Sequence, residues 1–165
     1  MNKADKTLLI LLIGGGLLVI GSAAVASRPD GKIPSPNPNV TRWDNYIHFY
    51  SSGSSPKALI AAIIEVESMG NPNAIGAAGE FGLMQLKCAT ARQVGFEGEC
   101  KVLNDPKLNI FYGTKYIRWQ WARYKGDLRK VISAYNAGTA TSANITYVNK
   151  TMSAYQRYLS YYNPH

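Results

Sequence analysis

From Ala58 to Val66 the chain reads ALIAAIIEV, and Ser68-Met69-Gly70-Asn71-Pro72 breaks this apolar run immediately after Glu67. Ala58, Leu59, Ala62, Ile63 and Val66 recur at a helical period, so the segment predicts a helix whose apolar stripe has to be covered by the rest of the fold. Glu65 and Glu67 are two positions apart and diverge by about 200° around that helix, so they cannot serve one site. Glu67 falls at the C-terminal end, where the helix dipole disfavours a carboxylate and apolar neighbours penalise its charged form. Both effects raise its pKa toward that of a general acid, whereas a plainly exposed glutamate would keep an ordinary one.

The segments beyond this helix are helical in character, with little strand-like alternation. Helices are expected at about 42–51, 56–69, 83–94, 106–124, 127–138 and 150–162. Asp105 before Pro106 has the pattern of a cap followed by a first-turn proline, and Gly70, Gly95 and Gly138 stand where helices should stop. A chain of 165 residues, 46% hydrophobic and 17% charged, can bury one sizeable core. The expectation is a compact all-α domain over residues 42–165.

Two segments precede that domain. Thr7 to Ala26 is an uncharged run of 20 residues, behind Lys3 and Lys6, and it matches the length of a bilayer-spanning helix. Residues 1–26 are therefore expected to form a retained single-span membrane anchor. The alternative is a secretory leader cleaved after Ala24-Val25-Ala26. Residues 27–41 hold four of the eight prolines without an apolar period and read as an extended tether.

Cys88 and Cys100 are the only cysteines. In an exported domain they are expected to close a disulfide, and in a cytosolic one they would be buried thiols. His48 and His165 have no ligand-bearing neighbours, so no metal site and no cofactor are expected. The formal net charge of +8 favours an acidic polymer or surface as partner. No zinc-finger spacing or RNA-binding aromatic signature accompanies it, so nucleic acid is not the expected partner.

Glu67-Ser68, Asn71-Pro72, Ala74, Gly79, Gly82-Leu83-Met84-Gln85 and Thr90-Ala91 together resemble the catalytic motifs of the soluble lytic transglycosylase family. Leu103 to Gly113, then Ala134-Tyr135-Asn136-Ala137-Gly138, then Tyr147-Val148 with Tyr155 and Tyr158, continue the likeness in order up to about Tyr162. The resemblance implies a lysozyme-like helical domain that cleaves peptidoglycan between N-acetylmuramic acid and N-acetylglucosamine, leaving 1,6-anhydromuramyl ends. It implies Glu67 as the single acid and base. It also implies substrate-binding roles for Ser68, Met84, Gln85, Tyr135, Asn136 and Tyr147, with Met84 and Tyr147 as cleft walls and Tyr135 orienting Glu67 or an N-acetyl group. No second carboxylate is evident at a fitting place.

The sequence departs from the family at Glu80, Lys87 and Cys88, and at Ala143-Asn144, which replace a Glu-Thr pair. Two alternatives share the fold: a goose-type lysozyme-like hydrolase, and a non-catalytic wall-binding or virion structural protein. The expected setting is a membrane-anchored domain outside the cytoplasm, or one on a virion membrane, with phage-particle or secretion-apparatus partners.

Overall fold

A computed structural model describes residues 34–163 in full, together with the backbone of 11–13 and 16–18. The expected membrane helix over 7–26 and the tether up to residue 33 otherwise lie outside the described residues. The described pieces of that helix are strands. β1 (Leu11–Ile13) pairs antiparallel with β2 (Gly16–Leu18) in the register Leu11↔Leu18, Leu12↔Leu17, Ile13↔Gly16. A short apolar run does not separate strand from helix. Among the described residues no helix is long and apolar enough to cross a membrane.

The body is helical: α1 (Pro38–Thr41), α2 (Asp44–Tyr50), α3 (Lys57–Ser68), α4 (Cys88–Gln93), a 3-10 turn (Cys100–Asn104), α5 (Pro106–Arg123), α6 (Leu128–Ala137) and α7 (Ile145–Tyr162). α3 is the axis. Ala58 through Ile64 are buried without interruption, so α3 is covered on every side rather than on one stripe. α7 packs along it most extensively, presenting Val148, Met152, Tyr155 and Tyr158, with α1 and α2 also against it. α5 and α6 complete the enclosure through Ile110, Tyr116, Ile117, Val131, Ile132 and Tyr135.

Local chemistry sets several boundaries. Asp105 accepts the Leu108 N–H at 2.9 Å and Asp127 the Lys130 N–H at 3.1 Å, capping α5 and α6. Gly138, at φ 77°, ends α6 in the left-handed conformation. The expected helix over 83–94 is reduced to α4, because Gly82 and Gln85 both hold positive φ and turn the chain. α7 starts five residues earlier than expected, at Ile145.

The packed body begins inside the segment read as tether. Asn37 caps α1 by accepting the Asn39 N–H at 2.9 Å, and Val40 is 0% exposed in the core. The α1–α2 corner is clamped to the end of α3, where the Gly70 carbonyl accepts Arg42 Nη2 at 3.0 Å and Trp43 Nε1 at 3.1 Å. Gly70 sits at φ 81°, and a Cβ there would collide with the Asn39 carbonyl oxygen. Gly70→Ala should therefore destabilise the domain by about 2–4 kcal/mol, combining left-handed strain with a backbone clash. Urea unfolding checks this; a loss below 1 kcal/mol would show that the α1 clamp is not needed.

Candidate functional site

The break after α3 sends residues 70–87 out as a loop that returns to the domain without forming a sheet. Single bridges hold it: Phe81 and Leu86 exchange N–H···O bonds at 3.0 Å each, Gly82 donates to the Ala74 carbonyl at 2.9 Å, and Gly76 donates to that of Glu80 at 2.9 Å. Asn109 of α5 fixes the loop from inside. Its Nδ2 donates to the Phe81 and Leu103 carbonyls and its Oδ1 accepts the Met84 N–H, all at 2.7 Å, so one buried amide ties loop, 3-10 turn and helix together. The Cys88–Cys100 disulfide fastens the start of α4 to that turn.

Between this loop, the end of α3 and α6 lies a cavity of about 310 Å³, lined by Glu67, Glu80, Gln85, Leu86, Lys87, Thr90, Tyr116 and Tyr135 through Gly138. Glu67 enters it from the last turn of α3. Tyr147 of α7 donates its hydroxyl to Glu67 Oε1 at 2.6 Å. Burial pushes the Glu67 carboxyl up to about 7; the Tyr147 bond and the more distant Lys150 work against this, and the charge of Glu80 adds to it. Burial first, then the charge of Glu67, hold the Tyr135 and Tyr147 phenols well above their ordinary value, so both stay protonated and act as donors.

The two glutamates of α3 part company as the helical geometry requires. Glu65 forms an ion pair with Arg157 and accepts the Tyr158 hydroxyl at 2.7 Å, a fastening of α3 to α7 away from the cavity. A second carboxylate nevertheless reaches the site. Glu80, one of the departures from the family pattern, lines the same cavity. Burial works to raise its pKa, but its own and the Ala78 N–H groups and the Lys87 ammonium outweigh that and lower it. It is an ionised carboxylate pinned at Oε2 by the Ala78 N–H (3.0 Å) and at Oε1 by Lys87 Nζ (3.4 Å).

Other expected residues are distributed differently. Gln85 and Asn136 line the cavity; Gln85 Nε2 donates to the Ala74 (3.1 Å) and Gly82 (2.9 Å) carbonyls, which fixes its amide. Asn144 Nδ2 donates to Asn136 Oδ1 at 3.1 Å, which gives the departure at Ala143-Asn144 a positioning role. Met84 is not a cleft wall: it is wholly buried, its sulfur filling the space that Gly113 leaves by lacking a side chain. Ser68 does not line the cavity either, since its hydroxyl donates to the Leu83 carbonyl at 2.7 Å and accepts the Gly70 N–H at 3.2 Å. Tyr135 lines the cavity but donates to the Met84 carbonyl at 2.9 Å, so the phenol bonded to Glu67 is that of Tyr147, which is not a wall residue.

The sequence reading passed over Asn109 and Tyr116. They share one face of α5 with Gly113, Ile117 and Gln120 at helical spacing, and a polar side chain on an otherwise core-facing stripe was the available signal. Tyr116 packs 5.5 Å from Tyr135 and accepts Gln120 Nε2 at 2.7 Å. Among the described residues no group of three His, Cys, Asp or Glu side chains is placed to hold a metal ion.

Residues 47–157 match the family model described as a transglycosylase SLT domain. The endo-type membrane-bound lytic murein transglycosylase A of Cronobacter sakazakii is 37% identical over 114 residues, covering 61% of this chain and 56% of that protein. The transglycosylase of Enterobacteria phage PRD1 is 38% identical over 81 residues, covering 49% of this chain and 29% of that protein. The chain thus spans little more than half of one relative's length and under a third of the other's. The crystal structure of the 70 kDa soluble lytic transglycosylase from Escherichia coli superimposes with a TM-score of 0.67 at 23% identity, over 73% of this chain and 24% of that one. The lytic transglycosylase Slt from Pseudomonas aeruginosa, crystallised as an inactive mutant, gives 0.65 at 20% identity, over 73% of this chain and 25% of that one. The fold is the mostly helical, lysozyme-like one of these structures.

A folded-state pKa raised from 4.5 to about 7 means that the folded protein holds the Glu67 proton more tightly than the unfolded chain. That contribution to stability is complete below about pH 4.5 and is lost as pH rises through 7, about 3 kcal/mol in all. Glu67→Gln removes the titration, so its stability relative to the parent should increase by about that amount between pH 4 and 8, measured by denaturant unfolding across the range. A pH-independent difference would show that folding does not raise the Glu67 pKa. Tyr147→Phe removes the bond that favours the carboxylate, and carboxyl-labelled NMR should then find the Glu67 midpoint moved upward.

Proposed function

The chain belongs to the transglycosylase SLT domain family, and on that premise we propose that it is a peptidoglycan lytic transglycosylase with Glu67 as its one acid and base. Protonated Glu67 donates to the glycosidic oxygen between N-acetylmuramic acid and N-acetylglucosamine as the bond to the anomeric carbon breaks. The resulting carboxylate takes the proton of the muramyl 6-hydroxyl, whose oxygen bonds to the anomeric carbon and closes the 1,6-anhydro ring. The acid is regenerated and no water is consumed.

The observation that carries this reading is the environment of Glu67. A pKa of about 7 lets one carboxyl be both donor and acceptor near neutral pH. Tyr147 at Oε1 leaves Oε2 to carry the proton toward the cavity. Gln85, Tyr135 and Asn136 are the substrate-binding side chains of this reading, with Asn144 holding Asn136 in place.

A hydrolase on the same fold has one observation in its favour, the second carboxylate of Glu80 in the cavity. Hydrolytic glycosidases use such a pair, one as acid and one as base or nucleophile. Glu80 is poorly suited to the second role: its two oxygens are engaged by Ala78 and Lys87, and a carboxyl held below its ordinary pKa is a weak base.

The setting follows from the sequence and the relatives' names. The uncharged run Thr7–Ala26 would attach the helical body, which begins at α1, to a membrane through the proline-rich segment before it, with the catalytic domain outside the cytoplasm or on a virion. One relative is called membrane-bound and another is a phage protein. The basic surface would favour the acidic wall polymer.

Mass spectrometry of digested peptidoglycan should find 1,6-anhydromuramyl ends. Reducing muramic ends would establish the hydrolase instead. Glu67→Gln should lower wall lysis by at least about a hundredfold, while Glu80→Gln retains it. Equal loss in both variants would mean that two carboxylates are required.

A further inference from the structure

Among the described residues, Lys87 is the one cationic side chain lining the cavity. Its backbone is fixed on both sides. Leu86 is bridged to Phe81, the Lys87 carbonyl accepts the Ala91 N–H at 3.0 Å, and the next residue, Cys88, is bound to Cys100. The side chain beyond that anchor is 54% exposed, and its ammonium rests 3.4 Å from Glu80 Oε1, whose own side chain is 22% exposed. A pair this exposed contributes little, so the ammonium can exchange Glu80 for another carboxylate at little cost. Glu80 does not have to follow, because the Ala78 N–H holds its other oxygen and the Gly76 N–H holds its backbone carbonyl at 2.9 Å. The geometry is that of a tethered cation parked on an internal counter-ion at the wall of a glycan-sized cavity.

We propose that Lys87 is a specificity-determining residue, releasing Glu80 to bind a free carboxylate carried by the glycan strand beside the bond over Glu67. The inference rests on the proposed peptidoglycan reading. With a neutral glycan the Lys87–Glu80 pair stays closed and contributes nothing to binding; with an acidic one it opens toward the substrate. Two sources supply the carboxylate in peptidoglycan, the lactyl ether of muramic acid freed of its peptide, and the carboxylates of an attached stem peptide. The chemistry at Lys87 is the same for both.

The test uses the full chain and three soluble strand preparations: peptide-bearing, peptide-free with the lactyl carboxylate exposed, and peptide-free with that carboxylate converted to its methyl amide. The readout is the ratio of kcat/KM between acidic and neutral strands, which a general loss of folding or catalysis leaves unchanged. The parent protein should favour a carboxylate-bearing preparation by about fivefold, chiefly through KM and less so at high salt. Lys87→Met should bring that ratio to near one, and Lys87→Arg should restore it. A preference for peptide-free strands assigns the lactyl group as the ligand, and one for peptide-bearing strands assigns the peptide. If Lys87→Met keeps the parent ratio, Lys87 does not read the substrate's charge and the proposal is overturned. Absence of cleavage of all three preparations by the parent protein would instead overturn the peptidoglycan reading. Binding of the same strands to the Glu67→Gln protein, with and without Lys87→Met, then still reports on Lys87 alone.

Discussion

The structure is organised by the complete burial of α3. A helix with Ala58 through Ile64 hidden from solvent cannot rest on a single neighbour; it has to be wrapped, and α7, α1, α2, α5 and α6 do so. Wrapping the helix leaves its C-terminal end half-buried, so the last side chains before the break, Val66, Glu67 and Ser68, emerge among packed groups. Glu67 is desolvated for that reason, and its proximity to the cavity follows from where the helix stops.

Stopping the helix there has a second consequence. The loop that follows has neither a sheet nor a helix of its own until Cys88, so its backbone polar groups need partners from elsewhere. Asn109 supplies two of these bonds, the Tyr135 hydroxyl takes the Met84 carbonyl, and the Ser68 hydroxyl takes that of Leu83. Residues that look like substrate ligands in the sequence, Ser68 and Met84 among them, are instead part of this support. They hold Gln85, Glu80 and Lys87 at the cavity wall.

Three glutamates within sixteen residues show how far environment divides one side-chain type. Glu65 is paired with Arg157 and bonded to Tyr158, Glu67 is buried with a phenol donor and keeps its proton near neutrality, and Glu80 is ionised against Lys87 and backbone N–H groups. Glu67 is shifted up and Glu80 down from the ordinary carboxylate value, and the proposed choice of Glu67 as the acid rests on that difference. It also makes Glu80 a counter-charge, which raises the pKa of Glu67 and holds the ammonium of Lys87.

By itself the sequence determined the helical class, the main helices, their caps at Asp105 and the glycine stop at Gly138, the divergence of Glu65 and Glu67 to different surroundings, and the Cys88–Cys100 pair. These depend on period, capping chemistry and the angular separation of neighbours on one helix, all of which are local. Only the tertiary structure decided that Tyr147 rather than Tyr135 bonds Glu67, that Met84 belongs to the core, that Asn109 supports the loop, and that Glu80 and Lys87 share the cavity with Glu67. Each of these joins residues from separate elements, across 80 positions in the case of Tyr147 and Glu67. A side chain's partner at that range is set by how the helices pack around α3, and local spacing carries no record of it.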